Sequence, residues 1–406
     1  MDTLTTRCCV AGGGPAGMML AFLLARMGVD VVVLEKHGDF LRDFRGDTIH
    51  PSTLQLMHEL GILEEFLKRP HQEVRELSAK VGQETATLID FSHLPTHCKF
   101  VALMPQWEFL DFIKEQAQRY ATFHLKMQAE VTGLIEENGA ITGARATTPS
   151  GPLEVRAALT VGADGRRSVV RESAQLQVEN FGAPMDVMWM RFSRSPEDPG
   201  QTFGHADKGK FFISINRDTY WQCAFVIAKG EAEAIKAKGL PAFREELASF
   251  EPTLRDRLAE LRDWQDVSVL TVLVDRLVRW SRAGVLCIGD SAHAMSPVGG
   301  VGINLAIQDA VATANLLGKI LLERAPSERE LDAVQRRRDF PTRATQRMQI
   351  LIQDNVIRRV LGGTAPAGLP WPLRLLRRWP YLRRFPARAL GLGFRPEHIR
   401  TPEMRA

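Results

Sequence analysis

The sequence predicts an α/β fold with three parts: a domain built on a parallel sheet, an inserted and mostly antiparallel β-sheet domain, and a helical C-terminal tail. At the start of the chain, an apolar strand, a glycine-rich turn and an apolar helix follow one another. Strands of alternating polarity fill much of residues 183–275, and an apolar strand of the first kind returns near residue 285. Helical periodicity dominates after residue 301. The first domain is therefore expected to be discontinuous.

The first strand and helix carry a nucleotide-binding motif. Gly12, Gly14 and Gly17 fit the pattern G-x-G-x-x-G between a predicted strand and a predicted helix. Glycines at these positions allow a tight turn, close approach of the backbone to a pyrophosphate, and close packing of helix and strand. Glu35 ends the next strand, 23 residues after Gly12, where a carboxylate can bind a ribose. Together these features predict a Rossmann-like dinucleotide-binding domain.

Length and composition are those of an ordinary globular protein with more than one domain. The chain is 45% hydrophobic and 25% charged, as is usual for a globular protein. Its 406 residues are too many for one simple core. We find no apolar run near the ~20 residues of a membrane span and no signal peptide. Five cysteines, an odd number without C-x-x-C spacing, favour a reduced, cytoplasmic protein. His93 and His97 are four residues apart, but Pro95 between them argues against a helix and a metal site.

The order of the predicted elements gives the domain boundaries. The dinucleotide-binding domain comprises residues 1–72, 98–182 and 276–345, the substrate-binding sheet domain comprises residues 73–97 and 183–275, and the basic helical tail comprises residues 346–406. We expect a short strand at residues 159–161, a mostly helical stretch at 240–261, and long helices over 301–323 and 327–360.

Two further turns between a strand and a helix carry polar motifs. Residues 164–171 read D-G-x-x-S-x-V-R, and residues 289–304 read G-D-S-A-H followed by a proline and several glycines. An aspartate just beyond a strand can bind the hydroxyls of a sugar chain, and a glycine-rich helix start can direct N–H groups at negative charge. Each motif alone is also compatible with a simple helix cap.

In this order, the three motifs resemble those of the class A FAD-dependent monooxygenases, the p-hydroxybenzoate hydroxylase-like family. The resemblance covers roughly residues 6–345. It implies the p-hydroxybenzoate hydroxylase fold, FAD as cofactor, NADH or NADPH as reductant and O₂ as oxidant. It also implies hydroxylation of an aromatic or heteroaromatic ring through a flavin C4a-hydroperoxide, with no side-chain nucleophile. The sequence has no second G-x-G-x-x-G, which agrees with transient binding of NAD(P)H.

The resemblance also assigns cofactor-binding residues position by position. The pyrophosphate and the adenosine ribose would be bound by Gly12, Gly14, Pro15, Ala16, Gly17, Glu35 and Lys36. The diphosphate, the ribityl chain and the flavin ring would be bound by Arg45, Gln106, Asp164, Gly289, Asp290, Pro297, Gly300, Val301, Gly302, Ile303 and Asn304. Pro297 would line the substrate side of the ring, and the Asn304 side chain would face its pyrimidine edge. His293 is expected to be a structural residue.

The inserted sheet is expected to supply the substrate contacts. Along one strand the side chains alternate, so that Tyr220 and Gln222 share one face while Trp221 lies on the other, and either face can meet substrate. The resemblance would place a carboxylate-binding arginine near residues 211–215, where this sequence has none. A neutral or apolar ring is therefore favoured, although Arg191 could supply a positive group.

The C-terminal part of the chain carries most of the positive charge. Residues 331–406 contain 16 Arg, no Lys and 5 acidic residues, so they carry +11 while the rest of the chain carries −7. Three interpretations stay open: packing on the acidic body, contact with a membrane surface, and a dimer interface. Packing is favoured because prolines at 370, 372, 380 and 386 interrupt any long amphipathic helix. We expect a small aromatic substrate, no nucleic-acid partner, and a monomer or homodimer.

Other functions are compatible with the same motifs. One is a ring hydroxylase acting on a quinone precursor at the membrane surface, and another is a flavin reductase or dehydrogenase of the same fold. A third is a protein that binds flavin without catalysis. Substrate-stimulated oxidation of NAD(P)H with incorporation of oxygen would separate the hydroxylases from the others. The intact proline and glycines after Asp290 favour an active hydroxylase.

Overall fold

A computed structural model gives the fold and describes residues 2–41, 48–81, 84–198, 203–207, 209–217, 219–363 and 370–404. The strands are β1 Asp2–Ala11, β2 Val31–Glu35, β3 Thr48–Ile49, β4 Gln72–Val74, β5 Glu76–Val81, β6 Glu84–Asp90, β7 Val101–Leu103, β8 Phe123–Met127, β9 Glu130–Glu137, β10 Ala140–Thr148, β11 Gly151–Gly162, β12 Val178–Asn180, β13 Met185–Ser193, β14 Phe203–Asp207, β15 Lys210–Asn216, β16 Tyr220–Ala228, β17 Ser268–Leu270, β18 Asp275–Leu277, β19 Ser281–Arg282 and β20 Val285–Cys287. The α-helices are α1 Pro15–Arg26, α2 Pro51–Glu59, α3 Leu63–Phe66, α4 Gln106–Ala117, α5 Val169–Ser173, α6 Ala232–Ala237, α7 Leu240–Phe250, α8 Gly302–Glu323, α9 Glu328–Ile352, α10 Arg358–Leu361, α11 Trp371–Arg378 and α12 Arg384–Gly391.

The first sheet brings the three sequence motifs to one edge. Its strand order is β19-β20-β11-β1-β2-β8, with β10 also paired to β11 and β9 to β10. β1 is parallel to β2 and β11, and β11 is parallel to β20, so that Ala11, Gly162 and Cys287 end neighbouring strands side by side. Each motif begins just after one of these strand ends. Open α/β sheets bind ligands at the carboxyl ends of their parallel strands, and this edge is therefore the expected site.

The second sheet has the order β17-β13-β16-β15-β14-β5-β6 and is antiparallel except where β14 pairs with β5. One of its faces packs against α6, α7 and the 3₁₀ turns over Pro252–Glu260, through side chains such as Phe225 and Phe243. On the other face, Val187 and Val226 cluster with Val298 of the first domain. One face of the antiparallel sheet is therefore covered by α6 and α7, and the other packs on Val298 of the first domain and on Ile357 and Leu361 after α9.

Several local expectations from the sequence need correction. Glu73 lies in β4, which pairs with β7 in a small sheet of order β3-β7-β4 and not with the second sheet. β11 begins at Gly151, well before the expected strand, because its first half pairs with β10 as well as with β1. Regular helix after α7 ends before Pro252, and α9 ends in a π-helical turn over Gln353–Ile357 that leads into α10.

The longest apolar helix is a core element. Residues Val298–Glu323, 26 in all, are long and apolar enough to cross a membrane, so the expectation that no such segment exists was wrong. The most apolar window of this segment is 72% buried within the fold. α8 packs against α1 and α9. Its apolar surface is therefore explained by burial in the protein.

The end of the tail lies along the first domain. Arg337 pairs with Glu397 at 2.7 Å, and the imidazole of His398 contacts the carboxylate of Glu59 at 2.6 Å. The N–H of Met404 donates to a backbone carbonyl of α1 at 2.9 Å. Packing of the tail on the body, one of the three interpretations drawn from its charge, is therefore present in the described residues.

Candidate active site

The turn between β1 and α1 has the geometry of a phosphate-binding turn. Gly12 has a φ of +103°, and a side chain there would collide with the backbone of Ala163. A side chain at Gly17 would collide with the carbonyl oxygen of Gly12. At Gly14, by contrast, no heavy atom lies within 4 Å of the position that a Cβ would take. No side chain caps α1, which starts at Pro15, so its first N–H groups are available to an acceptor.

Glu35 closes this turn from the neighbouring strand. Its carboxylate accepts the N–H of Gly13 at 2.9 Å and the N–H of His37 at 3.0 Å, and it is largely buried. Lys36 follows as an exposed residue. The carboxylate thus lies beside the glycine turn, where the motif predicts a ribose.

The turn after β11 is shaped by Asp164. Its carboxylate accepts the hydroxyl of Ser168 at 2.5 Å and the N–H of Val170 at 3.1 Å. Burial raises the pKa of Asp164, while these two hydrogen bonds oppose the rise. Because Gly12 has no Cβ, this turn can lie directly against the glycine turn.

The turn after β20 also lies beside the glycine turn and the start of α1. Gly289 has a φ of +61°, and a Cβ there would lie 3.2 Å from that of Ala16 and 3.1 Å from that of Ala306. The turn is thus wedged between the starts of α1 and α8. Asp290 is half-buried, and its carboxylate accepts a hydrogen bond from Nε of Arg166 at 3.1 Å. This ion pair joins the second motif to the third.

A buried charged network supports the Gly289 turn from beneath. The carboxylate of Asp309 accepts the N–H of Gly289 at 3.1 Å, contacts Nε2 of His293 at 2.6 Å and pairs with Nε of Arg338 at 2.9 Å. Arg338 also contacts Glu397 of the tail at 3.5 Å. Burial alone would raise the pKa of Asp309, but His293 and Arg338 hold it below its usual value. His293 therefore belongs to a structural network.

The glycine-rich segment before α8 forms a compact turn. After Pro297 the chain passes through Gly299 and Gly300, with φ of +78° and +61°. A Cβ at Gly299 would lie 2.6 Å from Cδ1 of Leu390 in the tail, and the hydroxyl of Thr48 donates to the carbonyl of Gly300 at 2.8 Å. No side chain caps the start of α8. The N–H groups of this helix start, where Gly302 and Ile303 lie, are therefore available to an acceptor.

Asn304 holds this segment against the loop before α2. Its Oδ1 accepts the N–H of His50 at 2.9 Å and the hydroxyl of Thr53 at 2.7 Å, while its Nδ2 donates to the carbonyl of Thr48 at 2.9 Å. These bonds occupy the amide within the chain, so we reassign the Asn304 side chain from flavin contact to positioning. His50 Nδ1 donates in turn to the carbonyl of Leu390 at 2.8 Å. Burial lowers the pKa of His50 to about 4, so its imidazole is neutral near pH 7.

The face of the second sheet that meets this segment is apolar with a polar end. Ile213 and Ala224 belong to the same cluster as Val298. At the polar end Gln222 is buried, and its Oε1 accepts a hydrogen bond from Nε of Arg217 at 2.9 Å. Arg217 is itself only 8% exposed. The site therefore holds a buried guanidinium.

Sequence reasoning missed Arg217. The sequence pattern places the strand at residues 211–215, and Arg217 follows two residues later, just beyond β15. The period-2 alternation of that strand places residues 211, 213, 215 and 217 on one face. Extending the alternation by one step would have identified it.

The other substrate candidates lie in different places. The guanidinium of the exposed Arg191 stacks 3.8 Å from the centroid of the Tyr220 ring, so this pair lies at the rim. Trp221 points to the opposite face, is buried beside Phe225, and donates its indole N–H to Asp198 at 3.0 Å. Trp221 is therefore removed from the substrate candidates, because the sheet itself separates it from the site.

Two further residues predicted to bind the cofactor lie at helix starts. Gln106 is the first residue of α4 and is half-buried. Val301 immediately precedes α8. Arg45 lies outside the described residues. Within the described part of the chain, no group of three His, Cys, Asp or Glu residues could hold a metal ion.

These groups fit the chemistry of FAD. The open space at Gly14 and the uncapped start of α1 suit a pyrophosphate, since helix N-termini attract anions. The carboxylates of Glu35 and Asp290 can accept hydrogen bonds from sugar and ribityl hydroxyls. The uncapped start of α8 suits the carbonyl oxygens of a flavin ring.

Comparison with known proteins agrees with this fit. A family model described as "FAD binding domain" matches residues 5–348. The 6-methylpretetramide 4-monooxygenase of Streptomyces rimosus is 33% identical over 354 residues, which cover 86% of this chain and 84% of that protein. PqsL of Pseudomonas aeruginosa, described as a probable FAD-dependent monooxygenase, has a TM-score of 0.74 at 23% identity, over 89% of this chain and 99% of the other.

A second solved structure, the OxyS anhydrotetracycline hydroxylase of Streptomyces rimosus, has a TM-score of 0.75 at 23% identity, over 97% of this chain and 77% of the other. At such identities the two structures show the shared fold alone. The family model and the Streptomyces relative carry the assignment further. The chain belongs to the FAD-binding family of class A aromatic monooxygenases, and it is an oxidoreductase that uses FAD, O₂ and NADH or NADPH.

Proposed function

We propose that this monooxygenase hydroxylates a mostly apolar, multi-ring aromatic compound that binds between the Pro297–Gly300 segment and the second sheet. One oxygen atom of the substrate accepts a hydrogen bond from Arg217. The observation that carries the proposal is the pairing of an extended apolar face with the buried guanidinium of Arg217. We also propose a reducing, cytoplasmic location, because all five cysteines are free and buried.

The apolar face is broad enough for more than one ring. Trp189, Ile213, Ala224 and Val226 contribute to it from three neighbouring strands. Strands are spaced about 4.8 Å apart, so three strands span roughly 10 Å, which exceeds the width of one benzene ring. Apolar contact over such an area favours a large, flat substrate.

Arg217 gives the site a directional contact. A guanidinium carries N–H donors in a rigid, planar fork, and Gln222 holds the fork of Arg217 in place by accepting from its Nε. A phenolate, enolate or carbonyl oxygen is an acceptor that this fork can bind. We therefore propose a substrate that is apolar over most of its surface, as the sequence predicts, and that also carries one oxygen acceptor for Arg217.

The names of the comparison proteins agree in the class of compound that they mention. The relative from Streptomyces is named for oxidation of 6-methylpretetramide, and OxyS is described as an anhydrotetracycline hydroxylase. PqsL has been crystallised with 2-aminobenzoylacetate. These names support an aromatic substrate with oxygen substituents.

In the proposed holoenzyme, the residues of the three motifs hold FAD. The glycine turn and the start of α1 bind the pyrophosphate, Glu35 with Lys36 binds the adenosine end, and Gln106 and Asp290 bind the ribityl chain. Pro297 and the N–H groups at the start of α8 orient the ring. Bound FAD supplies electron transfer and oxygen activation. The chain's own residues position the substrate ring and exclude water from it.

A substrate screen tests the function directly. The FAD-loaded protein is mixed with phenols and fused-ring aromatic compounds, and NADH or NADPH oxidation is followed under ¹⁸O₂. The proposal predicts that a multi-ring compound accelerates the oxidation and yields a product carrying one ¹⁸O atom. Accelerated oxidation without incorporation of oxygen into any compound would instead identify a reductase.

The Arg217 assignment is tested with two matched variants. Arg217→Met removes the buried donor and should lower kcat/KM roughly 10- to 100-fold, the usual cost of losing a hydrogen bond from a charged group. FAD content should stay unchanged. Arg191→Met removes the rim guanidinium and should change kcat/KM by less than about threefold. A larger loss of kcat/KM for Arg191→Met than for Arg217→Met would refute the assignment.

A further inference from the structure

We propose that residues 371–388, here called the arginine–aromatic segment, form a docking surface for an anionic lipid membrane. The segment contains α11, the 3₁₀ turn Pro380–Arg383 and the first part of α12. It presents apolar and basic side chains to solvent together. The proposal concerns binding of the whole enzyme to a bilayer surface and is independent of the substrate.

Large apolar side chains are concentrated on this segment. Trp371 is 70% exposed, Trp379 60% and Phe385 65%, and Leu375 and Tyr381 are exposed as well. These five are one third of the fifteen large apolar side chains exposed in the described part of the chain, yet they fall within 15 residues. Clustered exposure of this kind marks an interaction surface, whereas single exposed apolar residues are ordinary.

The charge of the segment is entirely positive. It contains six arginines, and no acidic residue occurs between Asp354 and Glu397. On α11, Trp371, Leu375 and Arg378 recur at helical spacing and share one face. Arg384 stacks 4.4 Å from the ring of Tyr381. Exposed Trp and Tyr interleaved with Arg are typical of elements that lie in the headgroup region of anionic membranes.

The opposite side of the segment is anchored to the protein. α11 packs on β6, and Arg377 pairs with Glu84 at the start of that strand at 2.9 Å. In α12, Ala387 is fully buried and a Cβ at Gly391 would lie 2.8 Å from Leu94. The prolines divide the segment into short helices without removing it from the surface. Anchoring fixes the aromatic side chains in an exposed position, which lowers the entropy lost when they enter a bilayer.

The segment leads directly to the candidate active site. Leu390, five residues after Phe385, accepts the hydrogen bond from His50 and contacts Gly299. A bilayer bound to the arginine–aromatic segment would therefore lie near the substrate face of the enzyme. This arrangement suits uptake of an apolar compound that partitions into lipid.

A second copy of the chain is a poorer occupant of this surface. In a symmetric dimer the same patch meets itself, so the arginines of each copy would face those of the other. Like charges opposed across an interface are unfavourable. An anionic bilayer offers phosphates to the arginines and an apolar interior to the aromatic rings.

Vesicle co-sedimentation of the FAD-loaded full-length protein tests the proposal. Vesicles of phosphatidylcholine alone are compared with vesicles that contain one third phosphatidylglycerol, at low and high salt. We expect binding to the phosphatidylglycerol vesicles at least tenfold tighter than to phosphatidylcholine, and weaker at high salt.

Two double variants and two controls locate the surface. Trp371→Ala with Trp379→Ala, and Arg374→Gln with Arg378→Gln, should each lower the partition coefficient roughly tenfold. Leu41→Ala removes an apolar side chain that is equally exposed elsewhere, and Arg255→Gln with Arg262→Gln removes two exposed charges from the far side of the second sheet. Neither control should alter binding. FAD absorbance and Tm confirm that each variant is folded.

Three results would overturn the proposal. The protein could stay in the supernatant with every vesicle, or bind both lipid compositions equally. The controls could reduce binding as much as the segment variants do. Light scattering could show a lipid-free dimer that Trp371→Ala with Trp379→Ala dissociates, which would assign the surface to self-association.

Discussion

Nε of Arg166 donates a hydrogen bond to the carboxylate of Asp290 over 3.1 Å, and this bond ties the turn after β11 to the turn after β20. The two residues are 124 positions apart in the chain, and only the parallel pairing of β11 with β20 brings them together. Both side chains are partly exposed. The pair therefore contributes little to global stability, and its main effect is to orient the Asp290 carboxylate.

Removing this pair should affect FAD more than folding. Arg166→Gln leaves Asp290 without its charged partner, so the carboxylate loses its fixed orientation. We expect the Kd for FAD to rise roughly tenfold, which corresponds to about 1.4 kcal/mol, while the free energy of unfolding falls by less than about 1 kcal/mol. Quenching of FAD fluorescence measures the first and urea unfolding the second. Arg167→Gln, which changes the exposed neighbour, should leave both unchanged; equal effects of the two variants would refute the role of Arg166.

The buried network around Asp309 should behave in the opposite way. Asp309→Asn leaves the Arg338 guanidinium, which is 1% exposed, without its nearest carboxylate. Breaking a buried pair in this manner costs about 3 kcal/mol or more of unfolding free energy. Asp332 lies on α9, the helix that carries Arg338, and its carboxylate is half-exposed. Asp332→Asn keeps an oxygen that can accept the hydroxyl of Ser281, so it should lower the unfolding free energy by less than about 0.5 kcal/mol. Urea denaturation distinguishes the two, and a cost for Asp309→Asn as small as that of the control would contradict the network.

His50 should make the fold sensitive to moderate acid. Its pKa is about 4 in the folded chain, below the ordinary value of 6.5, because burial disfavours the charged imidazole. Between pH 6.5 and pH 4 the unfolded chain therefore binds more protons than the folded chain. The part of the unfolding free energy that depends on neutral His50 is fully present above pH 6.5 and is lost as the pH falls toward 4. At pH 5 the loss is about 2 kcal/mol.

A variant isolates this contribution. His50→Gln cannot titrate, so its unfolding free energy should fall less between pH 7.5 and pH 5 than that of the unchanged protein. Urea unfolding at the two pH values provides the measurement. Identical slopes for His50→Gln and the unchanged protein would show that His50 does not carry the effect.

The sequence predicts the three motif turns well because each turn is contiguous in the chain, and its conformation follows from the steric requirements of its own residues. Gly12, for example, needs a positive φ and a missing side chain whatever the rest of the chain does. The meeting of Gly289 with Ala16 follows from the parallel order of β1, β11 and β20. That order is implied by the resemblance to the family and not by any one segment.

Other features depend on distant contacts and could not be predicted in this way. The alternation in β16 gives two faces, but only the packing of α7 shows that Trp221 lies on the face turned away from the first domain. Asn304 looks like a ligand-binding side chain until the loop carrying His50 and Thr53 is placed against it. The apolar composition of α8 resembles a membrane span, and only its burial shows that it is core.

The central claim is that the turn at Gly14 and the start of α8 hold FAD, and Gly14→Ala tests it most directly. The position has open space and an ordinary φ of −75°, so an alanine there should leave the fold intact. Gly133→Ala is the matched control, since Gly133 also has no heavy atom within 4 Å of its missing Cβ.

The measurement is the Kd for FAD of both variants and of the unchanged protein, with Tm of the FAD-free chains as the test of folding. We predict that Gly14→Ala weakens FAD binding roughly 100-fold, because the methyl group would overlap the bound pyrophosphate at a cost of about 3 kcal/mol. Gly133→Ala should bind FAD normally. A Gly14→Ala protein that is folded and binds FAD as tightly as the unchanged protein would contradict the account.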